Sequence, residues 1–181
     1  MEFFAKRSNA AIIAAALIIF SLFAGSWRSV AAEKAKALDM FRNGQSAFAL
    51  WDDLQYKAGL AANVITTYQK YSADAGAVKA LDSAIQDLKA SENSPKKAYA
   101  ASERVTAGVK ALAEKIESLP LTGDDRTRHL ANIDNFNGND ARIANSGYNA
   151  AASGINRKIN SFPTVVFKNI MLIKNAELFG K

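Results

Sequence analysis

The sequence predicts an all-α protein: an N-terminal transmembrane helix followed by an antiparallel bundle of four long helices. Three observations carry this. Ala10 to Trp27 is an apolar run without a charge. Four stretches beyond it place apolar residues three and four apart, the spacing of one helix face. Helix breakers are few, with 3 prolines in 181 residues, and no stretch alternates with period two.

Residues 1–9 read as a short tail carrying Lys6 and Arg7. At 1.5 Å per residue, 10–27 spans roughly 27 Å, close to a hydrocarbon core of about 30 Å. Trp27 and Arg28 suit the far interface, where an amphipathic ring and a snorkelling cation settle. The rival reading is a cleaved secretory signal, with Ser29-Val30-Ala31 as a small-x-small cleavage site. The run is read here as an uncleaved anchor in the cytoplasmic (inner) membrane. Lys6 and Arg7 flank one side; Arg28, Lys34, Lys36 and Arg42 flank the other. The positive-inside rule then leans toward a cytoplasmic C-terminal domain.

The bundle is expected over 28–163. Its first helix continues from the span to about Ser72, with a seam of Phe48, Trp51, Leu54, Ala58, Ala61, Ile65 and Tyr68. The second carries Val78, Leu81, Ile85 and Leu88. Ser94 and Pro95 open the third as cap and first residue, where a missing N–H costs nothing. Its face is Tyr99, Ser102, Val105, Val109, Leu112, Ile116 and Leu119. Thr122, with Asp125 three residues on, resembles a capping box. The fourth seam runs Leu130, Ile133, Asn137, Ala141, Ala144, Tyr148, Ala152, Ile155, Ile159 and Phe162 until Pro163 stops it, as one helix through Asn137-Gly138-Asn139. Residues 164–181 form an apolar tail holding Lys168 and Lys174, expected on the stalk, on a neighbouring subunit or in the headgroup layer. The stalk from Val30 to Gln45 has no obvious partner in a single bundle, which favours self-association.

The chain has no cysteine, which removes disulfides, thiolate catalysis and sulfur-ligated metals. Its net charge of +6 is spread out, as on a solvated bundle surface, and predicts no nucleic-acid partner. His129 has only Arg126, Arg128 and Asp125 near it in sequence and reads as solvated or capped. Asp52 and Asp53 point about 100° apart on a helix and read as its polar edge. No catalytic, cofactor or metal site is expected.

Tyr148-Asn149, Ile155-Asn156 one heptad later and Phe162-Pro163 resemble the LemA family signature, in which two Tyr-Asn pairs precede Phe-Pro at this spacing. The block from Leu54 to Ile65, with Leu60 and Asn63, looks like that family's first-helix block, and Tyr71 falls where the block ends in a tyrosine. Glu117-Ser118-Leu119-Pro120 is similar to its Glu-x-Tyr-Pro turn. The chain departs from the pattern at Tyr56, Lys57, Gly59, Ala62, Asn145 and Ile155. The resemblance implies a single-pass membrane protein with a four-helix bundle and no established enzymatic activity. It implies structural roles for Leu60, Asn63, Tyr148, Asn149, Asn156, Phe162 and Pro163. One branch of the family, with magnetosome proteins in it, takes part in building bacterial intracellular membranes; other members occur beside membrane metalloproteases. The expected function is therefore a non-enzymatic, homo-oligomeric scaffold on the lipid bilayer. The alternative is a regulatory module for a neighbouring membrane protein. Asn149 and Asn156 share a helix face and are expected to bond across to a neighbouring helix; a polar groove for a partner is the rival reading.

Overall fold

The computed structural model describes residues 7–44, 49–162 and 164–180. Most of these are helical, with no strand among the described residues. In order they form α1 (Arg7–Asn43), α2 (Leu50–Tyr71), α3 (Ala75–Lys89), α4 (Pro95–Glu117), α5 (Gly123–Ala144), α6 (Tyr148–Ile159) and α7 (Thr164–Ile170). Lys6, Gln45, Phe48 and Pro163 lie outside the described residues.

The helix expected from the span to Ser72 is interrupted. Gly44 adopts φ 67°, and its N–H donates to Met40 O at 3.1 Å. Glycine reaches this left-handed conformation without strain, so Asn43-Gly44 closes α1 as a C-terminal cap. The expected fourth helix is also two helices, but the break is not at Asn137-Gly138-Asn139. It falls at Asn145-Ser146-Gly147, three poor helix formers in a row. There Asn145 N–H and Nδ2 both donate to Ala141 O, at 3.1 and 2.8 Å. The remaining caps follow the sequence signals. Ser94 Oγ accepts from Lys97 N–H at 3.3 Å with Pro95 at the first turn. Thr122 Oγ1 accepts from Asp125 N–H at 3.3 Å.

Two compact units emerge. One combines the described residues of Met1–Ala37 with Ser153–Ala176. In it, α1 is long and apolar enough to cross a membrane: its most apolar window has a mean hydropathy of 2.2, with no residue buried. Ser21 Oγ donates back to Leu17 O at 2.8 Å, so its hydroxyl is satisfied inside the apolar run. Beyond Trp27, Val30 and Ala37 are buried. The tail packs on this helix. Phe167 of α7 meets Phe23 edge to face, ring centres 5.1 Å apart.

The other unit combines Leu38–Ala152 with the described residues of Glu177–Lys181. In it α2 packs against α3, α4 and α5, and α3 packs against α4. Leu54, Ala58, Ala61, Val64 and Tyr68 of α2 are buried with Leu81, Ile85, Leu88, Val105, Val109, Leu112 and Ile116. Phe41 is fully buried between the rings of Trp51 and Tyr148, at 5.7 and 5.5 Å. The stalk expected to lack a partner therefore has buried positions within its own chain.

On α5 the expected seam is off by one residue. Leu130, Asn137, Ala141 and Ala144 are exposed. The inward face is His129, Asn132, Phe136, Asn139 and Ile143, spaced three, four, three and four. Most of this face is polar, so counting apolar residues selected the wrong stripe.

Candidate functional site

The polar face of α5 meets polar groups of α2. Lys57 lies on the α2 seam, three residues after Leu54 and four before Ala61, and is 1% exposed. Its ammonium donates to Ser102 Oγ at 2.9 Å and Thr106 Oγ1 at 2.6 Å, and pairs with Asp140 Oδ1 at 2.5 Å. An ammonium has three donors, and each has an acceptor here. The Phe136 ring lies 5.2 Å away beneath the charge. One turn earlier on α2, Asp53 accepts from Arg142 Nε at 3.2 Å and pairs with its Nη2 at 3.0 Å, while Nη2 donates to Asn139 Oδ1 at 2.7 Å. Asn139 Nδ2 donates to Asp53 O at 2.8 Å. So Asp53 is a buried partner rather than an exposed edge, while Asp52 is exposed. A lysine beside a serine can activate the hydroxyl as a nucleophile. Here Ser102 is 2% exposed, and the Lys57 ammonium is held by Ser102, Thr106 and Asp140.

Farther along, α2 and α5 part into a groove of about 730 Å³. Leu60, Asn63, Thr66 and Lys70 line one side; Asp125, Arg128, Asn132 and Asn135 line the other. Two of the signature residues thus belong to it. Asn63 Nδ2 donates to Asn132 Oδ1 at 3.3 Å, and Asn132 Nδ2 to Leu60 O at 2.9 Å. Lys70 and the Tyr71 hydroxyl both bond the Asp125 carboxylate, and Lys70 first, then Tyr71, hold its pKa down to about 2. Arg128 and Asn135 are exposed and make no side-chain bond among the described residues.

His129 is neither solvated nor capped. It is 6% exposed, and its Nδ1 has no partner among the described residues. Burial lowers its pKa, partly opposed by Glu117 and reinforced by Arg126.

Three further signature residues, Tyr148, Asn149 and Asn156, grip the tail, not a neighbouring helix. Asn156 Nδ2 donates to Ala176 O at 3.0 Å, and Ala176 N–H donates back to Asn156 Oδ1 at 2.8 Å. One heptad earlier, Asn149 makes the same pair with Phe179, at 2.6 and 2.8 Å. A carboxamide offers one donor and one acceptor side by side, which matches the N–H and C=O of one extended residue. The Tyr148 hydroxyl donates to Glu177 O at 2.7 Å. Burial, then the Glu177 charge, push its pKa up to about 12. Phe162 is 83% exposed and joins none of these contacts. Tyr148, Asn149 and Asn156 hold the tail through its main chain, so their partners were not legible in the tail's own residues.

Among the described residues, no group of acidic, histidine or cysteine side chains could hold a metal ion. No family model, curated protein or solved structure matches the chain.

Proposed function

We propose that this chain is a single-pass, non-enzymatic LemA-like scaffold on the cytoplasmic membrane. In this reading α1 is the anchor and α2 to α5 are the antiparallel bundle it carries. The observation that carries it is the uncovered apolar window of α1, followed by helices with a well-filled core. Such a window has no soluble neighbour to bury it, and lipid satisfies it at full length. The scaffold acts by assembling with itself. Size in mild detergent tests this: a large uniform homo-oligomer is expected, and a monomer over a wide concentration range would reject assembly. Carbonate washing tests the anchor. The protein should stay with the membrane pellet, and recovery in the soluble fraction would reject it.

The α2–α5 groove supports a second reading, a regulatory module for a neighbouring membrane protein. Arg128 and Asn135 leave donors open at its rim. On this reading a monomer captures a second membrane protein, and Arg128→Ala weakens the capture.

A further inference from the structure

We infer that α7 and the turn after it form a second membrane contact, an in-plane wedge at the headgroup–acyl boundary beside α1. This rests on the reading of α1 as the anchor. Phe162 lies just ahead of α7, and Val166 and Ile170, four apart, share one of its faces. They are 83, 45 and 60% exposed. Leu172 follows at φ 53° and is 86% exposed. Together they make an apolar patch of a kind soluble monomers rarely leave open.

The placement of α7 against α1 points to lipid as its cover. Phe167, one residue past Val166 and three before Ile170, ties the flank of this stripe to α1 through its ring contact with Phe23. Phe23 lies one turn before Trp27, about 6 Å deeper along the helix. Just beyond, Ile173 shares a cleft of about 280 Å³ with Trp27, Ala31 and Lys34. The stripe therefore stands level with the end of the apolar run, where an anchored α1 meets the boundary between acyl chains and headgroups. Cations bracket it. Arg157, Lys158 and Lys174 are exposed on either side, and Lys168 is held on Asn160 Oδ1 at 2.5 Å. An apolar stripe flanked by cations suits an interface rich in anionic lipid.

The absence of native cysteine allows single-cysteine probes in the full chain. An environment-sensitive fluorophore is placed by Phe162→Cys, Ile170→Cys or Leu172→Cys in vesicles of phosphatidylcholine and phosphatidylglycerol. Ile18→Cys is the reference inside the span, and Lys36→Cys, about 14 Å beyond Trp27, is the reference in water. Lipids brominated near the headgroup should quench the three wedge probes several-fold more than the Lys36 probe, with blue-shifted emission, and lipids brominated at mid-chain should quench the Ile18 probe. Quenching at the Ile18 position alone would overturn the wedge and leave the anchor standing. No quenching even at Ile18 would reject the anchor and the wedge with it.

Discussion

Asn149→Ala and Asn156→Ala should each free one point of the tail without unfolding the rest. Each asparagine makes two bonds to a single tail residue. At a net ~1 kcal/mol per bond, each substitution removes ~2 kcal/mol of local stability. Since 1.4 kcal/mol is tenfold, the released amide should exchange about 30-fold faster. The Tyr148 hydroxyl still holds Glu177 O, and Ser94 Oγ still donates to the Glu177 carboxylate at 2.6 Å. The effect should therefore stay local: Asn156→Ala accelerates Ala176, and Asn149→Ala accelerates Phe179. Hydrogen-exchange mass spectrometry with fragmentation to single residues, on the full chain in detergent, reads this directly. Asn156→Asp should behave no better than alanine, because it keeps the acceptor but sets a carboxylate oxygen against Ala176 O. Unchanged exchange at Ala176 and Phe179, or uniform acceleration across the tail, would refute the clamp.

The Lys57 network should respond unequally to its two ends. Asp140→Ala strands a buried ammonium and should destabilise by about 3 kcal/mol, whereas Lys57→Met should stay within about 1 kcal/mol of the parent. Denaturant midpoints decide, and an equal loss from both would contradict the account. Two glycines should part company on replacement by alanine. A Cβ at Gly108 would sit 3.0 Å from Leu81 Cδ1 and 3.3 Å from its Cα, while one at Gly138 meets nothing within 4 Å. Gly108→Ala should lower the melting temperature through overpacking of α3 on α4, and Gly138→Ala should gain up to ~1 kcal/mol from helix propensity. His129 should make stability fall in mild acid. Its folded pKa is lowered below 6.5, so the unfolded chain binds the proton first. That contribution is present above 6.5 and is lost as pH drops through the folded value; His129→Leu should flatten this part of the profile, and an unchanged profile would exclude the residue as its source.

Legibility varied with the chemistry of each helix. The large apolar seam residues of α3 and α4 could be read, because Val78, Leu81, Ile85, Leu88, Val105, Val109, Leu112 and Ile116 are all apolar and all buried; the small Ala84, Ala98 and Ala101, also buried, were not. The Ser94-Pro95 and Thr122 starts were equally plain, since caps are local. The inward face of α5 was not, because Asn132, Asn139 and Asp140 face partners that only the tertiary structure supplies. Lys57 carried a positional clue in its place on the α2 seam, but its charge argued for water. The end of α1 was signalled by Asn43-Gly44 and masked by a hydrophobic register that seemed to run past it. The asparagine pair was visible as a heptad repeat, yet its ligand was not, since a main-chain partner leaves no sequence pattern.

The polar seam between α2 and α5 also decides how the two helices can be aligned. Apolar faces slide past one another by a turn with modest loss, because one leucine replaces another. Here a slip of four residues one way would bring Ile143, Ala144 and Ser146 to the places of Asn139, Asp140 and Arg142. A slip the other way would bring Asn135, Phe136 and Gly138. Either displacement deprives the Lys57 ammonium and the Asp53 carboxylate of their counterions. The pairing thus works as a vernier with a single coincidence mark: α5 either docks in one registration or leaves two sequestered charges uncompensated.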